Sequence, residues 1–83
     1  MLSTLKSELE KKVGFDLNSF KNCRKLEQLL YYQGLYTSYS SLARIFSVGN
    51  KTSEPRNSTL NVLSVFLGYE SFEQFKEIFQ NYS

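Results

Sequence analysis

The residues that could carry out catalysis are few in this chain of 83 residues, which contains no His and a single Cys, Cys23. A thiol needs a neighbouring base to act as a nucleophile, and Cys23 lies in an apolar stripe at helical spacing, where we expect an inert, buried thiol. The other members of that stripe are Phe20, Leu26, Leu29 and Leu30. Neither Asp16 nor any glutamate has the paired spacing of a shared acid–base site. The sequence therefore predicts that the protein is not an enzyme.

The same inventory bears on metals and cofactors. Without His and with one Cys, the chain lacks the ligands of nearly all zinc sites and cannot form an internal disulfide. Its four glycines are isolated from one another, so no glycine-rich loop can cradle a phosphate. We expect no catalytic residue, no metal, no cofactor and no small-molecule substrate.

A short predicted helix after a tight turn offers a different chemistry, because its outer side is small and polar. Ser40, Ser41 and Arg44 are its candidate contacts with DNA. Arginine can bind guanine edges or phosphate, serine hydroxyls can bind either, and small side chains let a helix approach the major groove closely. Ala43 and Ser47 are expected on the same outer side. An ordinary solvated helix face remains the alternative.

Four further cations could bind phosphates beside this helix: Lys21, Arg24, Lys51 and Arg56. The first two belong to the preceding helix, and the other two to the loop that follows. Residues 1–56 carry nine Lys/Arg against five Asp/Glu, whereas residues 57–83 carry one against three. A basic first part of the chain is typical of phosphate binding, although Lys and Arg also solvate helix surfaces.

These side chains must be positioned by the secondary structure of the chain. Apolar residues recur at three- and four-residue steps in five segments, and this periodicity predicts amphipathic helices. The predicted ranges are 2–13, 19–33, 39–47, a fourth from about residue 58 up to Gly68, and 72–81. Isolated glycines end three of them, since Gly accepts the left-handed conformation found there. Residues 48–57 are the extended loop, and no window alternates like a strand.

Short oxygen-bearing side chains stand before four of these helices, where they can accept hydrogen bonds from unpaired backbone amides. The candidates are Asn18 or Ser19, Ser38, Asn57 or Ser58, and Ser71 with Gln74 as a capping box. The core is expected to be dominated by Phe66 and Phe75, on the last two helices.

Four tyrosines cluster around the turn between the second and third predicted helices: Tyr31, Tyr32, Tyr36 and Tyr39. They could stack on bases or anchor a protein partner. The interpretation that we favour from the sequence is structural, with the rings closing a small core and the hydroxyls at the surface.

The stretch from Pro55 to Phe75 resembles the last two helices of lambda-repressor-like helix-turn-helix domains, in which Pro, Thr-Leu and an apolar helix ending in Leu-Gly lead into the final helix. More closely, residues 15–80 are similar to an uncharacterised group of small bacterial helix-turn-helix-like domains. The matching pieces are Gly34, Ser38 to Phe46, Thr59-Leu60, Leu63, Leu67-Gly68-Tyr69 and Ser71 to Phe75.

This resemblance implies a five-helix fold in which the third helix is the recognition helix. Three positions depart from the group: Ser47 where it often has Gly, the uncharged Ala43 where a basic residue is common, and Phe72 where it favours Trp. Such domains are often the N-terminal parts of longer chains, so residues 1–83 are expected to form one domain that stands alone or is such a module.

Together these observations predict an all-α, compact five-helix bundle of the lambda-repressor-like helix-turn-helix type. We expect it to bind double-stranded DNA in transcription regulation, with dimerisation or a fused domain supplying affinity. A protein–protein interaction module or homo-oligomer with the same fold is the alternative, favoured by Ala43, the small net charge and the tyrosines. No apolar run approaches the roughly 20 residues of a membrane span and no secretory leader is visible, so we expect a cytoplasmic protein without membrane contact.

Overall fold

Helices make up most of the chain that the structure describes. The computed structural model describes residues 2–48 and 56–80. The helices are α1 (Leu2–Val13), α2 (Phe20–Tyr32), α3 (Tyr39–Ile45), α4 (Asn57–Phe66) and α5 (Phe72–Gln80). No strand occurs in these ranges, so the predicted all-α, five-helix fold is confirmed. The helix bounds agree with the sequence periodicity to within two residues, and residue 81, the predicted end of the fifth helix, lies outside the described ranges.

The apolar stripe of α1 fixes the first helix against the rest of the molecule. Leu5 and Leu9 are fully buried. The chain turns after α1, where the carboxylate of Glu10 accepts a hydrogen bond from the backbone N–H of Leu17 at 2.8 Å. Lys12 donates from Nζ to the carbonyl of Phe66, the last residue of α4, where a cation interacts favourably with the helix dipole. α1 is thus joined to the end of α4.

The second helix begins and ends as its sequence predicts. Of the two candidate caps, Ser19 is the one used, since its Oγ accepts a hydrogen bond from the backbone N–H of Asn22 at 3.2 Å. Gly34 follows the helix with a φ of +76°, a conformation that glycine adopts without the steric cost of a Cβ. Phe20 and Leu29 were predicted in its buried stripe, but both are exposed. They lie at the two edges of that stripe, whose centre is Cys23, Leu26 and Leu30.

The start of α4 differs from the prediction. Arg56 occupies the N-cap position and provides no side-chain cap, whereas Asn57 is already the first helical residue. The prediction of Asn57 or Ser58 as the cap is therefore wrong, because the helix begins earlier than its first buried residues suggested. The predicted loop before it, including Pro55, lies outside the described residues except at its ends.

The start of α5 is held by three side chains. Ser71 Oγ accepts from the backbone N–H of Gln74 at 3.2 Å, as a capping box requires. Gln74 Oε1, however, accepts from the backbone N–H of Glu70 at 2.7 Å, one residue before the expected donor. Asn61 Oδ1, on α4, accepts from the backbone N–H of Phe72 at 2.8 Å. The last two helices are therefore joined by this hydrogen bond as well as by packing.

One apolar core connects all five helices, and Phe66 and Phe75 are both buried in it, as predicted. Phe75 packs against other aromatic rings, with Phe79 at 4.4 Å and Tyr69 at 5.3 Å between ring centroids. The described residues form a compact body of 33 × 28 × 23 Å. Within them, no helix has the length and apolar character needed to cross a membrane.

Candidate nucleic-acid interface

Two contacts at its first turn position α3, the predicted recognition helix. Ser38 caps it as predicted, accepting at Oγ from the backbone N–H of Ser41 at 3.2 Å. Glu27, on α2, accepts at Oε2 from the backbone N–H of Tyr39 at 2.8 Å. Because a seven-residue helix has little stability of its own, these bonds and the packing on α2 fix its orientation.

An open groove of about 360 Å³ lies between the start of α2 and the outer side of α3. The residues that line it are Phe20, Arg24, Tyr39, Ser40, Ala43, Arg44 and Val48. Ala43 and Val48 are buried and form its floor, whereas the two arginines are exposed. The groove thus combines an apolar floor with one guanidinium from each helix, and no carboxylate lines it.

Arg24 is held in place by Tyr39. Its Nη2 donates to Tyr39 Oη at 3.4 Å, and its guanidinium carbon lies 4.5 Å from the centroid of the tyrosine ring. This hydrogen bond raises the pKa of Arg24, and the same bond, together with the positive charge, lowers the pKa of Tyr39. Arg24 is therefore a fixed positive charge at the edge of the groove.

Arg44 stands on the α3 side of the groove, exposed as predicted. Its guanidinium makes no hydrogen bond or ion pair with any described residue. Ser40, one turn earlier, is also exposed and lines the same groove. The hydroxyl and the guanidinium are thus presented together on one side of α3.

The other predicted contacts are distributed around this groove. Ser41 is half-buried, and its Oγ accepts from Ser38 Oγ at 3.1 Å, so its hydroxyl belongs to the cap of α3. Lys21 lies on α2 beside Arg24, where both line a second, shallow depression of about 410 Å³. Arg56 is exposed at the start of α4 and does not line the groove. Lys51 lies outside the described residues.

Ala43 was predicted on the outer face of α3, but it is buried. Only 3% of its surface is exposed, and it packs in the core cluster. The reason is that α2 packs beside α3. The side of α3 that remains exposed to solvent is therefore narrower than its pattern of apolar residues predicts. A basic side chain at this position of this chain would therefore have to enter a buried site.

Among the residues at the site that were not predicted as site residues are Phe20, Lys25 and Glu27. Phe20 lines the groove, and Lys25 adds a cation to the depression beside it, with its Nζ 5.4 Å from the ring centroid of Phe15. The sequence could have indicated Lys25 as a further cation of the site, because it directly follows Arg24. No local signal marks Glu27 as the anchor of α3, because its partner lies twelve residues away.

The tyrosines differ most from the sequence interpretation. Tyr31, Tyr32 and Tyr36 are 64%, 78% and 70% exposed, so they do not close the core. Their rings touch one another edge to face, at 5.5 Å between Tyr31 and Tyr36 and 6.4 Å between Tyr31 and Tyr32. Tyr39 alone follows the prediction and packs against the core. We call Tyr31, Tyr32 and Tyr36 the tyrosine patch.

Comparisons of the chain with models of protein families, with curated proteins and with solved structures give no match. The chemistry of the site itself therefore has to support any function. Residues 2–48 and 56–80 hold no group of three or more metal-binding side chains. Cys23 is buried, and this burial raises the pKa of its thiol, which lowers its nucleophilic character.

Proposed function

We propose that this protein is a helix-turn-helix module of the lambda-repressor-like type that binds double-stranded DNA and acts in transcription regulation in the cytoplasm. The resemblance of residues 15–80 to such domains supports the type. The groove between α2 and α3 supports the activity, because each helix contributes one arginine to it and the outer side of α3 is small enough to approach bases.

The observation that carries the proposal is the pairing of Arg24 and Arg44 across one groove, both exposed and without a carboxylate among the lining residues. In this arrangement Arg44 and Ser40, on α3, face the base edges of the major groove. Arg24 is immobilised by Tyr39 and binds the phosphate backbone together with Lys21.

The remaining predicted contacts have supporting roles. Ser41 stabilises the start of α3 and contributes to binding through that cap. Arg56, at the start of α4, and Lys51, in the preceding loop, are proposed as further phosphate contacts, with the amides of the first turn of α4 as additional donors.

The test is the fluorescence anisotropy of a labelled mixed-sequence DNA duplex, titrated with the protein at two salt concentrations. The wild-type protein should bind at low salt, with an affinity that falls by a log–log slope of about 0.9 for each phosphate contacted. Arg44→Ala should weaken binding about 5- to 150-fold, which corresponds to a loss of about 1–3 kcal/mol.

The matched control is Lys11→Ala, which removes the same charge from α1 at an exposed position that does not line the groove. It should change the affinity by less than about threefold, since it alters only the long-range field. Failure of the folded wild-type protein to bind duplex at low salt, or an equal loss in both variants, would refute the proposal.

A protein–protein interaction module is the second candidate function, and the tyrosine patch is the observation that favours it. Exposed tyrosines that touch one another supply the rigid, amphipathic contact area found at interface hot spots. They lie at the end of α2 and in the turn that follows it, whereas the basic groove lies at the start of α2. Both functions are therefore possible on one molecule.

A further inference from the structure

The tyrosine patch is a neutral, protruding surface at the C-terminal end of α2. An aromatic side chain has about 150–250 Å² of surface, so the exposed fractions of the three tyrosines amount to roughly 300–500 Å². Leu29, one turn before Tyr32 and 37% exposed, extends the surface along the helix. A contiguous patch of this size on a small protein indicates an interaction site.

A depression of about 400 Å³ lies beside the patch. It is lined by Glu27, Tyr31, Leu35, Tyr36, Thr37 and Ser38. Tyr32 is the most exposed of the three tyrosines at 78%, and it does not line the depression. One copy of the chain therefore carries, side by side, a projecting aromatic ring and a recess bordered by aromatic rings.

We propose that two copies of this protein associate through the tyrosine patch, with Tyr32 of each copy seated in the depression beside Tyr31 and Tyr36 of the other. This proposal deepens the second candidate function and rests on it, and it does not require that the protein binds DNA. The occupant is a second copy of this chain.

Self-complementarity is the first reason for choosing a second copy as the occupant. In a two-fold interface the same surface meets itself, so a projection and its recess must both occur on each partner. The patch meets this condition, since Tyr32 and the depression are neighbours on one surface. Aromatic rings also prefer edge-to-face contacts, which like rings supply to each other.

Charge is the second reason. Two identical surfaces that carry the same net charge repel one another. The three tyrosines and Leu29 are neutral, and Glu27, the charged residue that lines the depression, has its carboxylate bound to the backbone N–H of Tyr39. The nearest cation of the groove on α2, Arg24, precedes Tyr31 by seven residues, which is about 10 Å along the helix. Arg24 is therefore about two helical turns away from the patch.

The area that two patches can bury determines how tightly the two copies should bind each other. Two patches would bury roughly 600–1,000 Å² in total, below the roughly 1,200 Å² at which stable interfaces begin. A weak, reversible dimer is the consequence, populated at high micromolar concentrations and absent at low ones. In the proposed function, binding of two modules to neighbouring DNA sites would strengthen the same contact.

Sedimentation equilibrium without DNA, from about 10 µM to about 1 mM, covers the range expected for a contact of this size. The wild-type mass should rise from 9.7 kDa towards twice that value. Tyr32→Ala and Tyr36→Ala should each remain monomeric over the whole range, because one removes the projection and the other a wall of the recess. Both positions are exposed, so both variants should keep the wild-type circular dichroism.

Val65→Ala is the matched control, since Val65 is an exposed apolar residue on α4, outside the patch. It should associate like the wild type, and about 1 M salt should leave the association intact, because the seated ring and the rings around it are uncharged and their contact is not screened. The proposal is overturned if the wild type stays at 9.7 kDa throughout, if Tyr32→Ala associates equally well, or if salt abolishes association. The duplex titration is a separate measurement, so either proposal can fail alone.

Discussion

At the scale of single residues, Ser47 departs most clearly from ordinary backbone geometry. It follows α3 with a φ of +57°, the left-handed region that L-residues other than Asn and Asp seldom adopt. Its backbone N–H donates to the carbonyl of Arg44 at 3.3 Å, so the residue closes the end of the candidate recognition helix. The helix-turn-helix-like domains that the sequence resembles often have Gly at this place, and Gly would adopt this conformation without the steric cost of a Cβ.

Replacing Ser47 by Gly should therefore stabilise the protein. Gly adopts the left-handed conformation without steric cost, although its greater flexibility in the unfolded chain offsets part of this gain. The net effect should be an increase of about 0.5–1 kcal/mol in the free energy of unfolding. Thermal denaturation should show a Tm about 2–8 °C higher. The same change at Ser7, an exposed residue within α1, should instead lower stability by about 0.5 kcal/mol. If Ser47→Gly lowers the Tm as Ser7→Gly does, Ser47 is not strained.

At the scale of helices, α3 is short and depends on its surroundings for its position. Its cap comes from Ser38, its first amide is bound by Glu27 of α2, and its inner side packs in the core. The start of α4 has no comparable side-chain cap. Ser38, just before α3, should therefore contribute more to the free energy of unfolding than Ser58, in the first turn of α4.

Ser38→Ala should destabilise the protein by about 0.5–2 kcal/mol, because the amide of Ser41 loses its acceptor. Urea denaturation followed by circular dichroism would measure this change. Ser58→Ala, in the first turn of α4, is the control and should change stability by less than about 0.5 kcal/mol. Equal losses in both variants would contradict the assignment of Ser38 as the cap that matters.

At the scale of the whole molecule, one apolar core stabilises the fold. Its centre includes the aromatic rings of α5 and of Tyr69, in the turn before that helix. Phe75 is fully buried and is within 6.0 Å of the ring of Phe72 and 4.4 Å of that of Phe79. A chain of this length has about 4–12 kcal/mol of stability in all. The loss of one central ring is thus a large part of the total.

Phe75→Ala should cost about 3–5 kcal/mol and leave the protein partly or largely unfolded. Phe20→Ala, the same change at a phenylalanine that is 44% exposed, should cost less than about 1.5 kcal/mol. Calorimetry of both variants makes the comparison. A shift of only a degree or two for Phe75→Ala would contradict its place in the core.

Local sequence determined the helices. Apolar spacing within one segment defines its period, and Gly14, Gly34 and Gly68 end helices with positive φ because no Cβ opposes it. These signals act between residues a few positions apart, which is why the ranges of α1 and α2 and the caps Ser19 and Ser38 could be predicted. The helical setting of Arg44 followed from the same local pattern.

Only the tertiary structure decided which sides of those helices face solvent. Ala43 is buried because α2 covers it, and Tyr31, Tyr32 and Tyr36 are exposed because no other described helix packs over the end of α2. The bonds from Arg24 to Tyr39 and from the Tyr39 amide to Glu27 join residues twelve or more positions apart. Periodicity fixes the spacing of side chains around a helix axis, but the neighbours that pack against it decide which of them remain accessible to a ligand.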